Sequence, residues 1–288
     1  HAPKETHAPM KRRTLLRHAA LTLPAATFLP HAGAQSGLPK PPPTSAKACI
    51  VIDAVGGQIL FEHNADERRA VASTQKLVSA LVCMESTALD KIATVSAFDA
   101  AAEPHKMYLK EGERYPLKSL LQAMLIESCN DAARCVARTC AGSEPAFAVW
   151  MTRRAQQLGM KNSQFKNASG LPAEGQYSTA RDMSRIARAV LYNSTLRGIV
   201  GRNELTVARP DGRVKKLTTT NHLLRPNSPF YLPHCIGMKT GFTNLAGKCL
   251  ISGANYRGRT IICISLGSSS KFIWKESAAL LNWGLGLA

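Results

Sequence analysis

The chain has 288 residues, of which 45% are hydrophobic, enough for one large domain or two small ones with a sizeable core. Lysine and arginine outnumber aspartate and glutamate by 37 to 19, which gives a formal net charge of +18 at pH 7. Nucleic-acid binding could explain this charge, but no Arg/Lys-rich helix or aromatic–basic repeat supports it. We expect instead a basic exported protein beside an anionic cell envelope, with no nucleic-acid partner.

Residues 1–34 have the features of a processing signal. Met10 is the expected translation start, and the residues before it would be an upstream extension. The pair Arg12-Arg13 resembles a twin-arginine export signal, with a general secretory signal as the alternative, and the small residues at 32–34 suit cleavage. The apolar run between them is too short and too rich in proline to span a membrane, so we expect no transmembrane segment in the mature chain.

The mature chain begins with a proline-rich linker at residues 35–45, and one domain is expected over residues 46–288. Runs of apolar residues predict strands at both ends of this domain and helices in its middle. The predicted strands cover 48–54, 58–62, 247–255 and 259–265, and the predicted helices cover 118–126, 131–140, 144–158, 180–191 and 272–283. This order predicts an α+β fold in which the terminal strands share one antiparallel sheet.

A long polar stretch at residues 193–233 is predicted to form hairpins and loops, with one turn at Pro210-Asp211-Gly212. The sequence also contains eight cysteines. Four of them lie inside apolar or helical runs, where a free thiol behaves as a small hydrophobic group: Cys83, Cys135, Cys249 and Cys263. No C-x-x-C pair and no Cys/His ligand spacing occurs, so neither a metal site nor a cofactor is expected.

The first candidate for chemistry is the pair Ser73 and Lys76, at the start of a predicted helix. A spacing of three residues places both side chains on the same helix face. Serine needs a base within hydrogen-bond reach, and lysine is a base only when burial or a neighbouring cation removes its proton. The Ser-x-x-Lys pattern is weak alone, because it occurs twice more in this chain and because Ser73 could simply be an N-cap.

The second candidate is Ser128-Cys129-Asn130, the only Ser-x-Asn in the chain, which lies in a break between two predicted helices. A hydroxyl there could relay a proton, and a carboxamide could hold both a lysine and a substrate amide. An ordinary pair of helix caps is the alternative.

The third candidate is Lys239-Thr240-Gly241, which is also unique and is predicted to lie on a strand. Lysine and threonine can bind a carboxylate, and glycine lets a peptide backbone approach closely. An edge strand with a solvated lysine is the alternative.

Together, the three elements stand in the order Ser-x-x-Lys, Ser-x-Asn, Lys-Thr-Gly, a pattern known from penicillin-binding proteins and class A β-lactamases. From about residue 46 onward the chain resembles the low-molecular-mass penicillin-binding proteins, the serine D-alanyl-D-alanine carboxypeptidases. The segments that carry the likeness are ASTQK, ESCNDAA, KNASGL, YSTARDM, GMKTGFTNLAGKCL and LLNWGLG. The resemblance implies an antiparallel sheet flanked by helices, plus a mostly helical subdomain, with the site between them.

The same resemblance implies roles for the site residues. Ser73 would attack the bond between the last two D-alanines of a peptidoglycan stem peptide, with Lys76 as base, Ser128 as proton relay and Asn130 aligning Lys76 and the substrate. Lys239, Thr240 and Gly241 would bind the substrate, and the backbone N–H groups of Ser73 and Phe242 would hold the oxyanion. β-Lactam antibiotics would acylate the same serine.

Three other functions share this pattern. An endopeptidase that cuts peptidoglycan cross-links has the same chemistry, and the sequence Phe242-Thr243-Asn244 resembles that of such enzymes. The sequence Ser-Cys-Asn-Asp-Ala of the second motif instead favours a carboxypeptidase. A class A β-lactamase would need a deacylating glutamate, and the surroundings of Glu174 do not resemble that site. A non-catalytic wall-binding module would not need Lys76 and Ser128 together. Cys129 departs from the family pattern, in which a glycine or another small residue is commoner.

Overall fold

The computed structural model describes residues 37–287, so the export signal predicted at residues 1–34 lies outside the described part of the chain. The strands are β1 (Ala48–Asp53), β2 (Ile59–His63), β3 (Ile92–Thr94), β4 (Arg114–Pro116), β5 (Glu204–Ala208), β6 (Val214–Thr218), β7 (Cys235–Thr243), β8 (Gly247–Tyr256) and β9 (Arg259–Ser268). The helices are α1 (Lys76–Ser86), α2 (Ala97–Ala100), α3 (Leu117–Ile126), α4 (Asn130–Ala141), α5 (Glu144–Gln157), α6 (Ala180–Tyr192), α7 (Ser194–Val200) and α8 (Ile273–Leu285).

Five strands form one antiparallel sheet in the order β2-β1-β9-β8-β7. The first and last parts of the domain therefore meet at its centre, where Val51 of β1 lies opposite Cys263 of β9. The prediction that the terminal strands share a sheet is confirmed. The remaining strands form two small hairpins, β3-β4 and β5-β6, and the second turns at the predicted Pro210-Asp211-Gly212.

Both faces of the large sheet are covered. Because side chains alternate along a strand, Ile50 and Ile52 of β1 face one core with α6 and the central helices, while Cys49 and Val51 face a second core with α8. Burial on both faces explains why the sequence of β1 is an unbroken apolar run rather than an alternating pattern. The larger core continues among α1, α3, α4 and α5, which form the helical part of the molecule.

Helix α7 was not predicted, because residues 193–233 were expected to contain only hairpins and loops. The side chain of Asn193 accepts a hydrogen bond from the N–H of Leu196 and so caps the helix. Leu196, Ile199 and Val200 are buried at helical spacing. The helix has only seven residues and begins within a polar sequence, so its apolar face is too short to stand out.

The proline-rich segment before β1 lies against α8. Trp283 Nε1 donates a 2.7 Å hydrogen bond to the carbonyl oxygen of Pro39, and Leu38 packs against the second core. The backbone N–H and the hydroxyl of Ser45 both donate to Glu276 Oε2, at 2.8 and 3.0 Å. Residues 38–45 therefore contact the domain, while a domain boundary at residue 46 stays a prediction.

All eight cysteines are free, and the four that were predicted to act as small hydrophobic groups are buried. Over residues 37–287, no helix combines the length and apolarity needed to cross a membrane. Within the same range, no three His, Cys, Asp or Glu side chains cluster in a way that could hold a metal ion.

Candidate active site

The first motif lies at the junction of a 3-10 turn and α1. Ser73 belongs to the turn Ala72–Gln75, and Lys76 is the first residue of α1, so the two side chains lie one turn apart on the same face. Ala72 has a φ of +48°, in the left-handed region that residues with a Cβ rarely adopt. Such strain persists only where surrounding contacts hold the backbone, and here it occurs directly before the candidate nucleophile.

The amine of Lys76 is the centre of the site. Its Nζ lies 2.8 Å from Ser73 Oγ, 2.7 Å from Asn130 Oδ1 and 2.6 Å from the carbonyl oxygen of Ser169. The side chain is completely buried. Lys76 therefore joins the first motif to the second through direct contacts.

The environment of Lys76 favours the neutral amine. Burial, and then the positive charge of Lys239, lower the pKa of Lys76 well below its ordinary value. The nearby acidic groups, which include Glu144 and Asp131, act in the opposite direction but are weaker influences. Lys76 is thus suited to accept a proton from Ser73.

The second motif forms the bend between α3 and α4. Ser128 has a φ of +65°, and Asn130 begins α4. Asn130 Nδ2 donates to the carbonyl oxygens of Glu103 and Pro104 at 3.0 and 2.9 Å, and this fixes the orientation that points Oδ1 at Lys76. The loop before β4 therefore sets the orientation of the carboxamide.

Asp131 holds the same loop in place. Its carboxylate accepts hydrogen bonds from the backbone N–H groups of Met107 and Leu109, at 2.9 and 3.1 Å, and is completely buried.

Cys129, the departure from the family pattern, is also buried, and burial raises the pKa of its thiol to about 12. The thiol is therefore protonated at neutral pH.

The third motif lies on β7, which pairs with β8 at the edge of the large sheet. Lys239 is buried rather than solvated, and burial lowers the pKa of its amine to about 7. Its Nζ donates to the carbonyl oxygen of Thr240 at 3.0 Å, and the Thr240 hydroxyl contacts that of Thr220. The Phe242 ring points outward with 55% exposure, and the Lys248 amine lies 4.3 Å from its centre.

Two glycines let neighbouring segments approach the Ser73 backbone closely. A Cβ on Gly241 would lie 2.9 Å from the Ser73 nitrogen, so β7 passes directly against the 3-10 turn. A Cβ on Gly170, which has a φ of +88°, would lie 2.1 Å from the Ala72 carbonyl oxygen. Ordinary carbon–oxygen contacts are about 3.3 Å or longer, so neither position tolerates a side chain without displacement of the turn.

Ser73, Lys76, Asn130 and Gly241, which come from all three motifs, are thus brought together. The sequence analysis missed their support at residues 167–170. Ser169 accepts from Lys76, while Asn167 accepts a 2.7 Å bond from Gln75 Nε2 through its carbonyl oxygen. The segment KNASGL was noted for its resemblance alone. The two contacts with Gln75 and Lys76 use main-chain carbonyl groups, which every residue type possesses. The residue-specific signals are Gly170 and Asn167, whose side-chain oxygen accepts from the backbone N–H of Gly170 at 2.8 Å.

Known proteins resemble this chain in sequence and in fold. The family model described as D-alanyl-D-alanine carboxypeptidase matches residues 36–270. The D-alanyl-D-alanine carboxypeptidase DacF of Bacillus subtilis is 33% identical over 230 residues, covering 78% of this chain and 58% of that protein. The D-alanyl-D-alanine carboxypeptidase DacC of Escherichia coli is 31% identical over 273 residues, covering 89% of this chain and 65% of that protein. The chain thus spans about three-fifths of the length of these relatives.

Among solved structures, a D-alanyl-D-alanine carboxypeptidase from Mycobacterium tuberculosis superposes with a TM-score of 0.81 at 28% identity, covering 88% of this chain and 96% of that one. A variant of the Streptomyces K15 DD-transpeptidase gives a TM-score of 0.79 at 27% identity, covering 85% of this chain and all of that one. The predicted fold, that of penicillin-binding proteins, is confirmed. This chain belongs to the D-alanyl-D-alanine carboxypeptidase family.

Proposed function

We propose that the chain is a serine D-alanyl-D-alanine carboxypeptidase, which removes the terminal D-alanine from peptidoglycan stem pentapeptides through an acyl-enzyme on Ser73. The observation that carries the proposal is the buried Lys76 amine, which contacts both Ser73 and Asn130. A structural lysine would not need a lowered pKa, whereas a base requires one. The names of the family relatives support the same substrate class.

Acylation begins with proton transfer from Ser73 to Lys76. A neutral amine has two N–H donors and one lone pair, and Lys76 has three partners. Two of these, Asn130 Oδ1 and the Ser169 carbonyl, can only accept, so the lone pair is left to receive the Ser73 hydroxyl proton. Ser73 Oγ then attacks the carbonyl carbon of the penultimate D-alanine. The backbone N–H groups of Ser73 and Phe242 stabilise the oxyanion.

Collapse of the tetrahedral intermediate expels the terminal D-alanine, whose nitrogen must gain a proton. Ser128 passes that proton to the leaving amine, and Asn130 aligns Lys76 with the substrate amide. The positive φ of Ser128 supports this role, because strained backbone is typical of positions that a site constrains. Water then hydrolyses the acyl-enzyme and regenerates Ser73.

The carboxylate of the terminal D-alanine is held by Lys239 and Thr240. Lys239 is buried without a carboxylate of the protein as hydrogen-bond partner among residues 37–287. A substrate carboxylate would supply the missing counter-charge and would stabilise the protonated amine. Gly241 lets the strand that carries Lys239 and Thr240 lie directly against the turn that carries Ser73. β-Lactam antibiotics, which also carry a carboxylate and a reactive carbonyl, would be covalent inhibitors.

The proposed place of action is outside the cytoplasm, in the periplasm or at the cell wall. The relatives from Escherichia coli are bacterial carboxypeptidases, and the export signal predicted at residues 1–34 agrees with such a location. The formal charge of +18 would favour contact with anionic wall polymers, and added salt would weaken that contact.

The decisive experiment is mass spectrometry of muropeptides that contain both pentapeptide monomers and cross-linked dimers, before and after addition of the enzyme. Loss of one alanine from pentapeptides with intact dimers is the expected result. Conversion of dimers to monomers would instead identify the endopeptidase alternative, and rapid turnover of penicillin without a lasting adduct would identify a β-lactamase. The exposure of Glu174 argues against the latter, since a deacylating carboxylate has to face the acyl-enzyme.

The nucleophile is tested separately by Ser73→Ala. This variant should lose both pentapeptide trimming and covalent penicillin labelling, because it lacks the hydroxyl on which the acyl-enzyme forms. Ser163→Ala is a matched control, since Ser163 begins another Ser-x-x-Lys sequence but hydrogen-bonds to Asp182 instead of a lysine. Penicillin labelling of the Ser73→Ala protein would refute the assignment.

A further inference from the structure

A cavity of about 690 Å³ lies at one end of the large sheet, where α6 and α7 meet the ends of β7, β8 and β9. Its volume is within the range of about 300–1,000 Å³ that is typical of small-molecule sites. On β7 the cavity reaches Ile236, whereas Lys239 and Gly241 lie about 10–17 Å further along the strand. The cavity is therefore separate from the candidate active site.

The wall of this cavity is positively charged. Three arginines line it: Arg188, Arg197 and Arg202. Within residues 37–287, no Asp or Glu lines it. Two acids beside the lining segments have other partners. Asp53 accepts a 2.9 Å hydrogen bond from the N–H of Val55, and Glu204 lies 2.8 Å from the Lys216 amine. The charge of the wall thus favours an anion as the occupant.

Hydrogen bonds hold two of the guanidinium groups against the wall. Arg188 donates from Nε and Nη2 to the carbonyl oxygens of residues 54–55, at 2.9 Å each. Arg197 Nη1 donates to the carbonyl oxygen of Leu191 at 3.2 Å. In the described part of the chain, neither Arg197 nor Arg202 pairs with a carboxylate, and both are exposed. Because a guanidinium has five N–H donors, these two side chains retain donors for a ligand.

The backbone that carries these two arginines is fixed on the sheet. Arg197 lies in α7, and Arg202 follows the end of that helix by two residues. A Cβ on Gly237 of β7 would lie 2.6 Å from the carbonyl oxygen of Val200, so α7 lies directly against the strand. The segment is therefore ordered before a ligand binds, which lowers the entropic cost of binding.

The mixed lining indicates the chemical class of the ligand. Apolar side chains from three segments complete the wall: Val55, Leu191 and Ile236. A guanidinium binds phosphate oxygens in pairs, with a geometry that its planar fork matches. A phosphate monoester carries about −1.5 to −2 charges at pH 7, so two arginines can share it, whereas a carboxylate carries a single charge.

We propose that this cavity is a binding site for a phosphate monoester with an apolar body. The phosphate lies between Arg197 and Arg202, and the body lies against Leu191 and Ile236. The inference does not depend on the proposed peptidase activity.

The test is calorimetric titration of the folded, full-length protein with phenyl phosphate. We expect saturable binding of one molecule per chain, and weaker binding of both inorganic phosphate, which lacks the body, and phenol, which lacks the charge. Arg197→Gln and Arg202→Gln should each weaken binding roughly tenfold. Arg153→Gln is the matched control, since it removes an exposed arginine of α5 outside the cavity and should leave binding unchanged.

Hydrogen exchange of the unmutated protein locates the ligand even if a variant fails to fold. Phenyl phosphate should increase protection within residues 188–202 and leave residues 73–76 and 239–241 unchanged. The proposal is overturned if binding does not saturate, if Arg153→Gln weakens binding as much as Arg202→Gln, or if protection increases only at residues 73–76 and 239–241. The last result would place the phosphate in the candidate active site.

A second probe distinguishes the source of the phosphate. Vesicles that contain phosphatidic acid present a phosphate monoester as a lipid headgroup. Binding to these vesicles that phenyl phosphate displaces, and that Arg202→Gln weakens, would support the site and identify a headgroup as its ligand. Binding of phenyl phosphate without binding to the vesicles would support the site and identify a soluble ester.

Discussion

Replacement of Gly170 by alanine tests whether the loop at residues 167–170 fixes the position of the nucleophile. The new Cβ would lie 2.1 Å from the Ala72 carbonyl oxygen and 2.8 Å from the Ser73 nitrogen. A normal contact of about 3.3 Å requires the turn or the loop to move by about 1 Å. A displacement of that size at a reacting group costs about 100-fold in rate, or about 2.7 kcal/mol in the activation free energy.

Stability should fall as well, for two separable reasons. The φ of +88° at Gly170 costs an alanine about 1 kcal/mol, and overpacking adds about 1–3 kcal/mol. Gly112 is a matched control, because its φ is +82° but a Cβ there meets nothing within 4 Å. Gly112→Ala should therefore be destabilised only by the backbone cost of about 1 kcal/mol and should keep its acylation rate.

The assays are the second-order rate constant for acylation by a fluorescent penicillin and the free energy of unfolding from urea titration. The Gly170→Ala variant should acylate about 100-fold more slowly than the Gly112→Ala variant. Equal acylation rates in the two variants, together with equal losses of stability, would show that the loop does not position Ser73.

Further predictions concern pH and the loop that orients Asn130. The acylation rate should fall as pH drops through the lowered pKa of Lys76, because the protonated amine cannot accept the serine proton. The ratio kcat/KM for a pentapeptide should also fall as pH rises above about 7, since Lys239 then loses the proton that attracts the carboxylate. The turnover number kcat should fall less, because bound substrate stabilises that proton. A kcat/KM that stays flat between pH 6 and 9 would contradict the assignment of Lys239, and acylation that does not slow as the pH is lowered while the protein stays folded would contradict that of Lys76. Asp131→Asn should destabilise the fold by about 2 kcal/mol in urea titrations, because its buried carboxylate accepts N–H bonds at residues 107 and 109. The exposed Asp211→Asn should leave stability nearly unchanged, and equal effects of the two substitutions would refute the role of Asp131.

The parts of the site that are encoded by side-chain spacing could be predicted from the sequence. Ser73 and Lys76 share a helix face because of their three-residue spacing. The glycine of Lys-Thr-Gly was expected to admit a substrate backbone, and its close approach to the Ser73 turn was not predicted. The burial of Lys239 was not predictable, because a lysine on an edge strand is ordinarily solvated. Burial depends on the segments packed against the strand, and one of these, the 3-10 turn Ala72–Gln75, comes from a distant part of the sequence.

The sheet was predictable for a similar reason, since long apolar runs identify β1, β8 and β9 whatever their partners. Short elements such as α7 lack such runs. Contacts made by the main chain could not be predicted either. The carbonyl oxygens that fix the Asn130 side chain belong to Glu103 and Pro104, and the side chains of those two residues do not indicate the contact.

The pairing of β1 with β9 has a consequence for how the molecule folds. Strand β1 forms one of its two ladders with β9, which lies more than 200 residues later in the chain, and Ala48 lies opposite Leu266. During synthesis, β1 therefore lacks this partner until almost the whole domain has left the ribosome. Such distant pairings make folding slow and leave apolar strand edges open meanwhile. A truncation that removes β9 should consequently cost the chain its entire sheet, and with it the strand that carries Lys239, rather than one terminal element.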